Sequence, residues 1–374
     1  IMWILVVLLG LMGCKQTPTY RITARVSGME NGLKVYLMNT TTQQVVDTAI
    51  TQNGTFCFTG YAREPFYAQI RIQSEEERRI GYWFVENVDM QLNGEWQQFG
   101  NADMTGSVLQ EEYDAYLRSL KPLEEKREQL KKQLFEVYGQ YQYNHSFKAD
   151  YIAPGIEVVK QQEVVLKQLQ QFYIDYLKAH PGSLVTLKAL ESLLSQKSCF
   201  TKSELTAWIE CLTPELKQTE MFKQMEAWII AYGETAKDEK YIDFRVVDRD
   251  GKEGRLSDYV QPGKYNLLEV WASGCGYCRM EVSHLKIVQE SYGERFNIIA
   301  VSWEDNDESW KRAMSEDQPN YLQLRELDDI KELYHLPRIP YALIIDGEGR
   351  IVTEHAKGAE LDLLLERWFG EWKS

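Results

Sequence analysis

The chain is poor in cysteine, in long apolar runs and in basic charge. Six cysteines in 374 residues are too few for a scaffold built on disulfides. No internal run approaches the roughly 18 apolar residues of a membrane-spanning helix. Lys and Arg total 42 against 56 Asp and Glu, which gives a net charge of −14. This charge argues against nucleic acid as a partner, because phosphate binding needs clustered basic side chains.

The length allows two or three domains, and 44% hydrophobic with 26% charged residues is an ordinary globular composition. Residues 20–106 carry short alternating stretches such as YRITARVSG, which predict a β-sandwich-like N-terminal domain. Residues 107–236 carry apolar side chains three and four apart among Lys, Glu and Gln, which predicts a helical middle segment. Residues 238–374 alternate apolar strands with helices, so an α/β domain with its sheet covered on both faces is expected.

The one long apolar run lies at the N-terminus, where all eleven residues from Met2 to Met12 are apolar or glycine. Its length suits the hydrophobic region of a secretory signal, and LMGC resembles a bacterial lipobox. We therefore expect residues 1–13 to be a removed lipoprotein signal peptide and Cys14 to carry a lipid. A signal peptide without lipidation is the alternative. The lipid would anchor the protein to a membrane of the bacterial cell envelope, facing the periplasm, where thiols are not held reduced by glutathione.

Three cysteines lie outside any recognisable motif. Cys57 alternates with threonines on a predicted strand, which indicates a half-buried, unreactive thiol. Cys199 and Cys211 lie in the helical segment, where either a disulfide or two free thiols is possible. Without further ligands at suitable spacing, a zinc site there is not expected.

The remaining two, Cys275 and Cys278, stand in the stretch WASGCGYCRM. A Cys-x-x-Cys pair can serve redox chemistry, a metal or a structural staple, and the surroundings must decide. This pair follows a buried strand and opens a helix, where free N–H groups and the helix dipole stabilise a thiolate. Cys275, at the leading end, is the expected nucleophile, and Cys278, one turn deeper, the expected resolving thiol.

Competing uses of the pair lack their partner residues. A c-type haem site needs His directly after the second cysteine, where this chain has Arg279. A structural zinc site needs a second ligand pair, and the chain has no other Cys-x-x-Cys and no His-x-x-x-His. A peroxidatic cysteine would want Pro seven and Thr or Ser three residues before it, where Leu268 and Ala272 stand. We predict a redox dithiol with no metal and no cofactor.

Glu269 lies within the apolar strand that precedes the pair. A carboxylate there costs free energy unless it has a partner or a task. Near the dithiol it could accept the proton of Cys278, with its pKa raised by desolvation. Alternatively, the Glu269 side chain reaches the edge of the sheet, where water solvates its carboxylate.

Residues 238–374 resemble the thioredoxin-like domains of the TlpA/ResA type, which are membrane-anchored, periplasm-facing thiol-disulfide oxidoreductases. The blocks LLEVWASGCGYCRMEVSHL and RIPYALIIDGEGRI carry the resemblance. It implies a thioredoxin-like fold, places Glu269 on the family's buried acid and Pro340 on its cis-proline, and implies that the backbone of Ile339 pairs with substrate. Trp271 and Tyr277 complete the predicted substrate-binding set. The segments before this domain resemble an uncharacterised N-terminal domain of bacterial lipoproteins.

Four positions depart from the usual pattern of that family. Gly274 stands where Trp is usual before the first cysteine, and Ser283 where Pro is usual in the helix. Tyr341 follows Pro340 where a small residue is common, and Tyr277 replaces the common Pro between the cysteines. The dipeptide between the cysteines bears on redox potential, so the direction of electron flow stays open.

Together these features predict an enzyme, a thiol-disulfide oxidoreductase acting on protein disulfides with an unidentified electron donor. Reductase, isomerase and oxidase directions all remain possible. The alternative is a lipoprotein binding module whose thioredoxin-like domain is a scaffold and whose cysteine pair is a permanent disulfide.

Overall fold

The structure is a computed structural model that describes residues 19–374 except 75–76, 144–145, 196–199, 304–305, 337, 355, 371 and 373–374. The predictions for Cys14 and Cys199 lie outside the described residues. The chain divides into two compact units, with the boundary between Tyr116 and Leu117.

The first unit is built from strands. They are β1 (Tyr20–Ser27), β2 (Lys34–Asn39), β3 (Val45–Ile50), β4 (Thr55–Gly60), β5 (Phe66–Gln73), β6 (Arg78–Val85), β7 (Asp89–Glu95) and β8 (Asp103–Thr105), with a 3-10 helix at Trp96–Asn101. Two four-stranded sheets have the orders β4-β1-β7-β8 and β3-β2-β5-β6. Strand β1 pairs parallel with β7 and antiparallel with β4. The predicted all-β character of this region is confirmed.

Alternation along the strands builds one core between the sheets. Ile22 from β1 and Leu37 from β2 share a hydrophobic cluster and are both 0% exposed. In β4 the inward positions go to Phe56 and Phe58, because these large side chains bury the most apolar area. Cys57 therefore lies exposed, and the half-buried place predicted for it is wrong.

The helical segment follows. Its helices are α1 (Val108–Leu134), α2 (Gln140–Tyr143), α3 (Ile152–Ala179), α4 (Leu184–Ser195), α5 (Lys202–Glu210), α6 (Pro214–Lys217) and α7 (Glu220–Glu234). A π-helical turn, Phe135–Gly139, joins α1 to α2. Three of the helices, α5 to α7, begin at threonine caps whose side chains accept a backbone N–H. Cys211, just after α5, is an exposed free thiol. Within the described residues, no helix combines the length and hydropathy that crossing a bilayer requires.

The α/β part completes the second unit. It contains β9 (Arg245–Val247), β10 (Glu253–Arg255), β11 (Tyr265–Trp271), α8 (Gly276–Tyr292), β12 (Phe296–Ser302), α9 (Asp307–Asp317), β13 (Leu322–Glu326), α10 (Ile330–Leu333), β14 (Tyr341–Ile345), β15 (Ile351–Glu354) and α11 (Ala359–Phe369), with 3-10 turns at Leu256–Asp258 here and Ala149–Tyr151 before α3. Its seven described strands have the order β10-β9-β13-β12-β11-β14-β15. Strands β11, β12 and β13 are parallel, and β14 is antiparallel to β11.

Strand β11 is buried on both faces. Leu267 and Trp271 pack into one hydrophobic cluster, and Leu268 and Val270 into another on the opposite face. This double burial explains the continuous apolar run in the sequence. The predicted α/β thioredoxin-like fold, with an all-β region and helices before it, is confirmed.

Two helices of the helical segment pack against the α/β part within the second unit. Helix α3 packs against α11, and α2 packs against α8. Ion pairs reinforce the first contact, since Arg367 of α11 holds both oxygens of Glu163 at 2.6 and 2.8 Å. The helix that opens at the cysteine pair is therefore in contact with the helical segment.

Candidate active site

Strand β11 and helix α8 position the cysteine pair. Cys275 is the N-cap of α8, and its Sγ accepts the backbone N–H of Cys278 over 3.2 Å. The two sulfurs are joined in a disulfide. Cys275 is partly exposed, whereas Cys278 is 1% exposed. The outer sulfur thus combines access to a partner with the stabilisation that a helix N-terminus gives to a thiolate.

The loop before β14 lies beside the end of β11. Tyr341 pairs with Val270 in the sheet, which brings Pro340 towards the strand end that leads into the cysteine pair. The Ile339–Pro340 peptide bond is cis. Ile339 and Cys275, both partly exposed, pack against the same hydrophobic cluster. The structure brings these predicted residues together, and their contact with substrate stays a prediction.

The other two predicted substrate contacts differ in exposure. Tyr277 is 64% exposed, at the outer side of the pair. Trp271 is only 5% exposed and lines the inner side, next to Cys278. Within the described part of the chain, its indole N–H has no hydrogen-bond partner. As placed here, Tyr277 can reach a partner protein directly, whereas Trp271 forms the wall behind the resolving cysteine.

Glu269 lies behind the pair, buried at 4% exposure between two small cavities. The first cavity is lined by Trp271 and Cys278, and the second by Pro340 and Lys357 among others. Each has a volume of about 10 Å³, close to the space that one water molecule needs. Glu269 and Cys278 therefore line the same cavity, which has room for about one water molecule.

Burial dominates the electrostatics of Glu269. Desolvation, with the negative charge of Glu281 adding to it, raises the pKa of Glu269 from 4.5 to about 8. Lys357 acts in the opposite direction, and its Nζ donates to the carbonyl of Pro340 over 3.1 Å. The carboxyl is thereby poised to exchange a proton near neutral pH, which is where a general base works best.

A buried polar network that sequence reasoning missed extends from the second cavity. Nδ1 of His284 lies 3.2 Å from Oε1 of Glu281, and its Nε2 lies 2.7 Å from Oδ1 of Asp362. The Tyr138 hydroxyl donates to Oδ2 of Asp362 over 2.8 Å, and the Gln142 amide donates to Oε2 of Glu281. His284 and Asp362 are both 0% exposed. We call these five residues the inner network.

In the inner network the His284 ring lies between the carboxyl groups of Glu281 and Asp362. Burial lowers the pKa of His284, but the charge and hydrogen bond of Asp362, with those of Glu281, outweigh it and raise the pKa to about 10. Burial opposes ionisation of Glu281, and yet its pKa is lowered, because His284 and the backbone N–H of Gly358 at 2.9 Å stabilise the carboxylate. Burial, Asp362 and Glu281 together raise the pKa of Tyr138 well above its ordinary value.

Comparison with known proteins agrees with this geometry. Residues 238–354 match the AhpC/TSA family, and residues 20–113 match a domain of unknown function, DUF4369. One curated relative is the thioredoxin-like protein YneN of Bacillus subtilis, which is 28% identical over 30% of this chain and 67% of its own length. Another is the thiol:disulfide interchange protein HelX of Rhodobacter capsulatus, which is 26% identical over 31% of this chain and 66% of its own length. The chain thus spans about two thirds of these relatives.

Among solved structures, the thioredoxin domain of a thiol-disulfide oxidoreductase from Bacteroides vulgatus is 29% identical, covering 36% of this chain and 97% of that one with a TM-score of 0.33. A thiol:disulfide interchange protein from Bacteroides sp. is also 29% identical, covering 36% and 91% with a TM-score of 0.34. The family match and the two curated relatives confirm the predicted resemblance to thiol-disulfide oxidoreductases. Residues 238–354 therefore form a thioredoxin-like domain of the AhpC/TSA family, whose relatives are thiol-disulfide oxidoreductases and interchange proteins.

Proposed function

We propose that this protein exchanges disulfides with partner proteins through Cys275 and Cys278. The observation that carries the proposal is the bonded pair at the start of α8, with its outer sulfur partly exposed beside Pro340 and Glu269 buried behind its inner one. A binding scaffold with a permanent disulfide would need neither an exposed Cys275 sulfur nor a buried carboxyl group behind Cys278. The scaffold interpretation is therefore the weaker one.

In the reducing direction, the thiolate of Cys275 attacks one sulfur of a partner disulfide and releases the other as a thiolate. Cys278 then gives its proton to the Glu269 carboxylate, and its sulfur attacks Sγ of Cys275. The second partner sulfur leaves as a thiolate, which takes up a proton from Glu269 or from water, and the Cys275–Cys278 disulfide remains. The partner gains two electrons and the enzyme loses two, so an external dithiol donor must restore the reduced pair. The same steps reversed would oxidise a partner.

Partner binding involves the exposed rim of the site. The backbone of Ile339, which the resemblance implies pairs with substrate, precedes the cis Pro340 and is partly exposed next to the start of β14, so an extended segment of the partner can approach it there. Tyr277, exposed on the other side of Cys275, offers an aromatic contact. Arg279 does not add free positive charge to this rim, since its guanidinium is held by Asp317 and Glu316, each at 2.7 Å.

We also propose that Cys14 carries a lipid that anchors the protein in the bacterial cell envelope, with the thioredoxin-like domain facing the periplasm. The support is the LMGC sequence after an apolar run. Partition of the full-length protein into detergent, with Cys14→Ser as the control, tests it. If both proteins partition equally, Cys14 is not the anchor.

The test of the exchange reaction is trapping. A Cys278→Ser protein should accumulate mixed disulfides through Cys275, because the resolving thiol is absent. Cys57 and Cys211 are exposed thiols, so both are first replaced by serine to remove background. Cys275→Ser in the same background is the matched control. Equal trapping by Cys275→Ser, or a wild-type protein that reduces no disulfide substrate, would contradict the proposal.

A further inference from the structure

The helical segment reaches into the buried surroundings of the active site. Tyr138 lies in the π-helical turn before α2, and Gln142 lies in α2 itself. Their side chains donate to Asp362 and Glu281, which belong to the α/β part. A π turn inserts an extra residue into a helix and is frequently found at functional sites. Here it accompanies two polar side chains that meet the same network.

Close packing fixes the ring of Tyr138. A Cβ on Gly155 of α3 would collide with this ring and approach Cβ of Ala359 to 3.1 Å. The ring also packs with Phe147 at a centroid distance of 4.7 Å. Gly358 carries a positive φ of +54°, and a Cβ there would lie 3.5 Å from the Tyr138 ring. These close contacts fix the orientation of the ring, so that the Tyr138 hydroxyl lies within hydrogen-bond distance of Asp362.

We propose that Tyr138 and Gln142 are positioning residues for the dithiol chemistry, through which the helical segment holds Glu281 and its partners in place and so sets the proton affinity of Glu269. The inference rests on the proposed function, in which Glu269 takes the proton of Cys278. Glu281 and Glu269 line the same small cavity, which gives the inner network a direct route to the acid.

The sign of the effect follows from the charges. Glu281, whose carboxylate is stabilised by His284 and by the backbone N–H of Gly358, is the negative group that raises the pKa of Glu269. Each donor from the helical segment satisfies one carboxylate oxygen and reduces its field. Removing a donor leaves the network more negative towards Glu269, so this acid should hold its proton more strongly.

Other titratable groups also face Glu269 and Glu281, and substitutions at Tyr138 and Gln142 leave these groups in place. Lys357, from the loop before α11, lowers the pKa of Glu269 and of Glu281. Tyr321, before β13, has its own pKa raised well above the ordinary value by burial, Glu269 and Glu281, with Asp317 at the end of α9 adding to this. None of these groups bonds to Tyr138 or Gln142 in the described residues, so substitutions at those two positions isolate the contribution of the helical segment.

The experiment is a carboxyl titration by 13C NMR on the full-length oxidised protein, with Glu269→Gln identifying the resonance of Glu269. Tyr138→Phe and Gln142→Met each remove one donor with little change in size. Each should raise the titration midpoint of Glu269 by several tenths of a pH unit, and the double variant by about one unit. Once the exchange reaction is measurable, the pH profile of partner release should move by the same amount.

Tyr141→Phe and Gln140→Met are the matched controls. Tyr141 stacks on Tyr151 at a centroid distance of 3.7 Å, and the Gln140 amide donates to the backbone carbonyl of Glu136 in the π-helical turn, so neither side chain bonds to Glu281 or Asp362 in the described residues. A folded double variant whose Glu269 midpoint equals that of wild type, or controls that shift it equally, would overturn the inference. Because the titration needs no substrate, an inactive wild-type protein with the expected shifts would refute the proposed function and leave this coupling intact.

Discussion

Replacement of Glu269 by glutamine should stabilise the protein at alkaline pH while slowing its chemistry. In the folded state burial raises the pKa of this carboxyl from 4.5 to about 8. Each pH unit between the folded and unfolded values corresponds to about 1.4 kcal/mol. Ionising Glu269 in the folded protein therefore costs at most about 5 kcal/mol, an upper limit because Lys357 and water entry relax the charge.

The pH window follows from the direction of the pKa shift. Below pH 4.5 the carboxyl is protonated in both states, and the stability it contributes is fully present. As pH rises from 4.5 towards 8, the unfolded chain ionises and the folded one does not, so that stability is lost. Glutamine does not titrate. The advantage of Glu269→Gln should thus be close to zero at pH 4.5 and largest at pH 8 and above.

Thermal unfolding of the oxidised proteins measures this, since thiol titration is then absent. At pH 9 we expect Glu269→Gln to unfold above wild type by at most about 10 to 20 °C, from at most about 5 kcal/mol at about 2 to 4 °C per kcal/mol for a unit of this size. Glu294→Gln, at an exposed carboxylate in the turn after α8, is the control. If the difference in unfolding temperature between Glu269→Gln and wild type does not grow with pH, Glu269 is not a buried, protonated carboxyl in the folded protein.

Three further substitutions test separate contacts. His284→Asn removes the partner of two buried carboxyl groups and should lower the free energy of unfolding by about 3 to 5 kcal/mol near neutral pH. Because the pKa of His284 is raised to about 10, this loss of stability should shrink as pH rises from 6.5 through 10. A loss of stability that stays constant over that range would contradict the raised pKa of His284. Tyr341→Phe removes the donor 2.8 Å from partly buried Glu354 and should cost about 1 kcal/mol in urea unfolding, whereas no loss would show the bond to be replaceable. Gly155→Ala should cost about 1 to 3 kcal/mol through its collision with Tyr138, and unchanged stability would show that the ring can move aside.

The sequence predicts the structure best where a hydrophobic pattern and reactive side chains lie next to each other in the chain. The apolar run of β11, the cysteine pair and the following amphipathic helix lie consecutively, so the turn from β11 to α8 was predictable with its buried acid, Glu269. Tyr341, noted as a departure from the family pattern, has a structural reason: its hydroxyl bonds to Glu354, whose pKa is raised by burial despite that bond. A small side chain at position 341 would leave Glu354 with the hydrogen bond from Thr235 but without the one from Tyr341.

The inner network was not predictable because its members lie far apart in the chain. Asp362 is 78 residues from His284 and 224 from Tyr138. Glu281 and His284, three apart on an amphipathic helix, carry the pattern of a solvated face. The helical segment, which packs on α8 and α11, contributes Tyr138 and Gln142 to their surroundings. A long-range contact of this kind leaves no periodic signal in a single sequence.

The central claim is that Cys275 is the attacking thiolate and Cys278 the sheltered resolving thiol. Alkylation of the reduced full-length protein at about pH 7, read by mass spectrometry of each cysteine, tests it most directly, because an ordinary thiol at about 8.5 reacts slowly there. The account predicts rapid labelling of Cys275 and almost none of Cys278. Faster labelling of Cys278, or slow labelling of both, would contradict it.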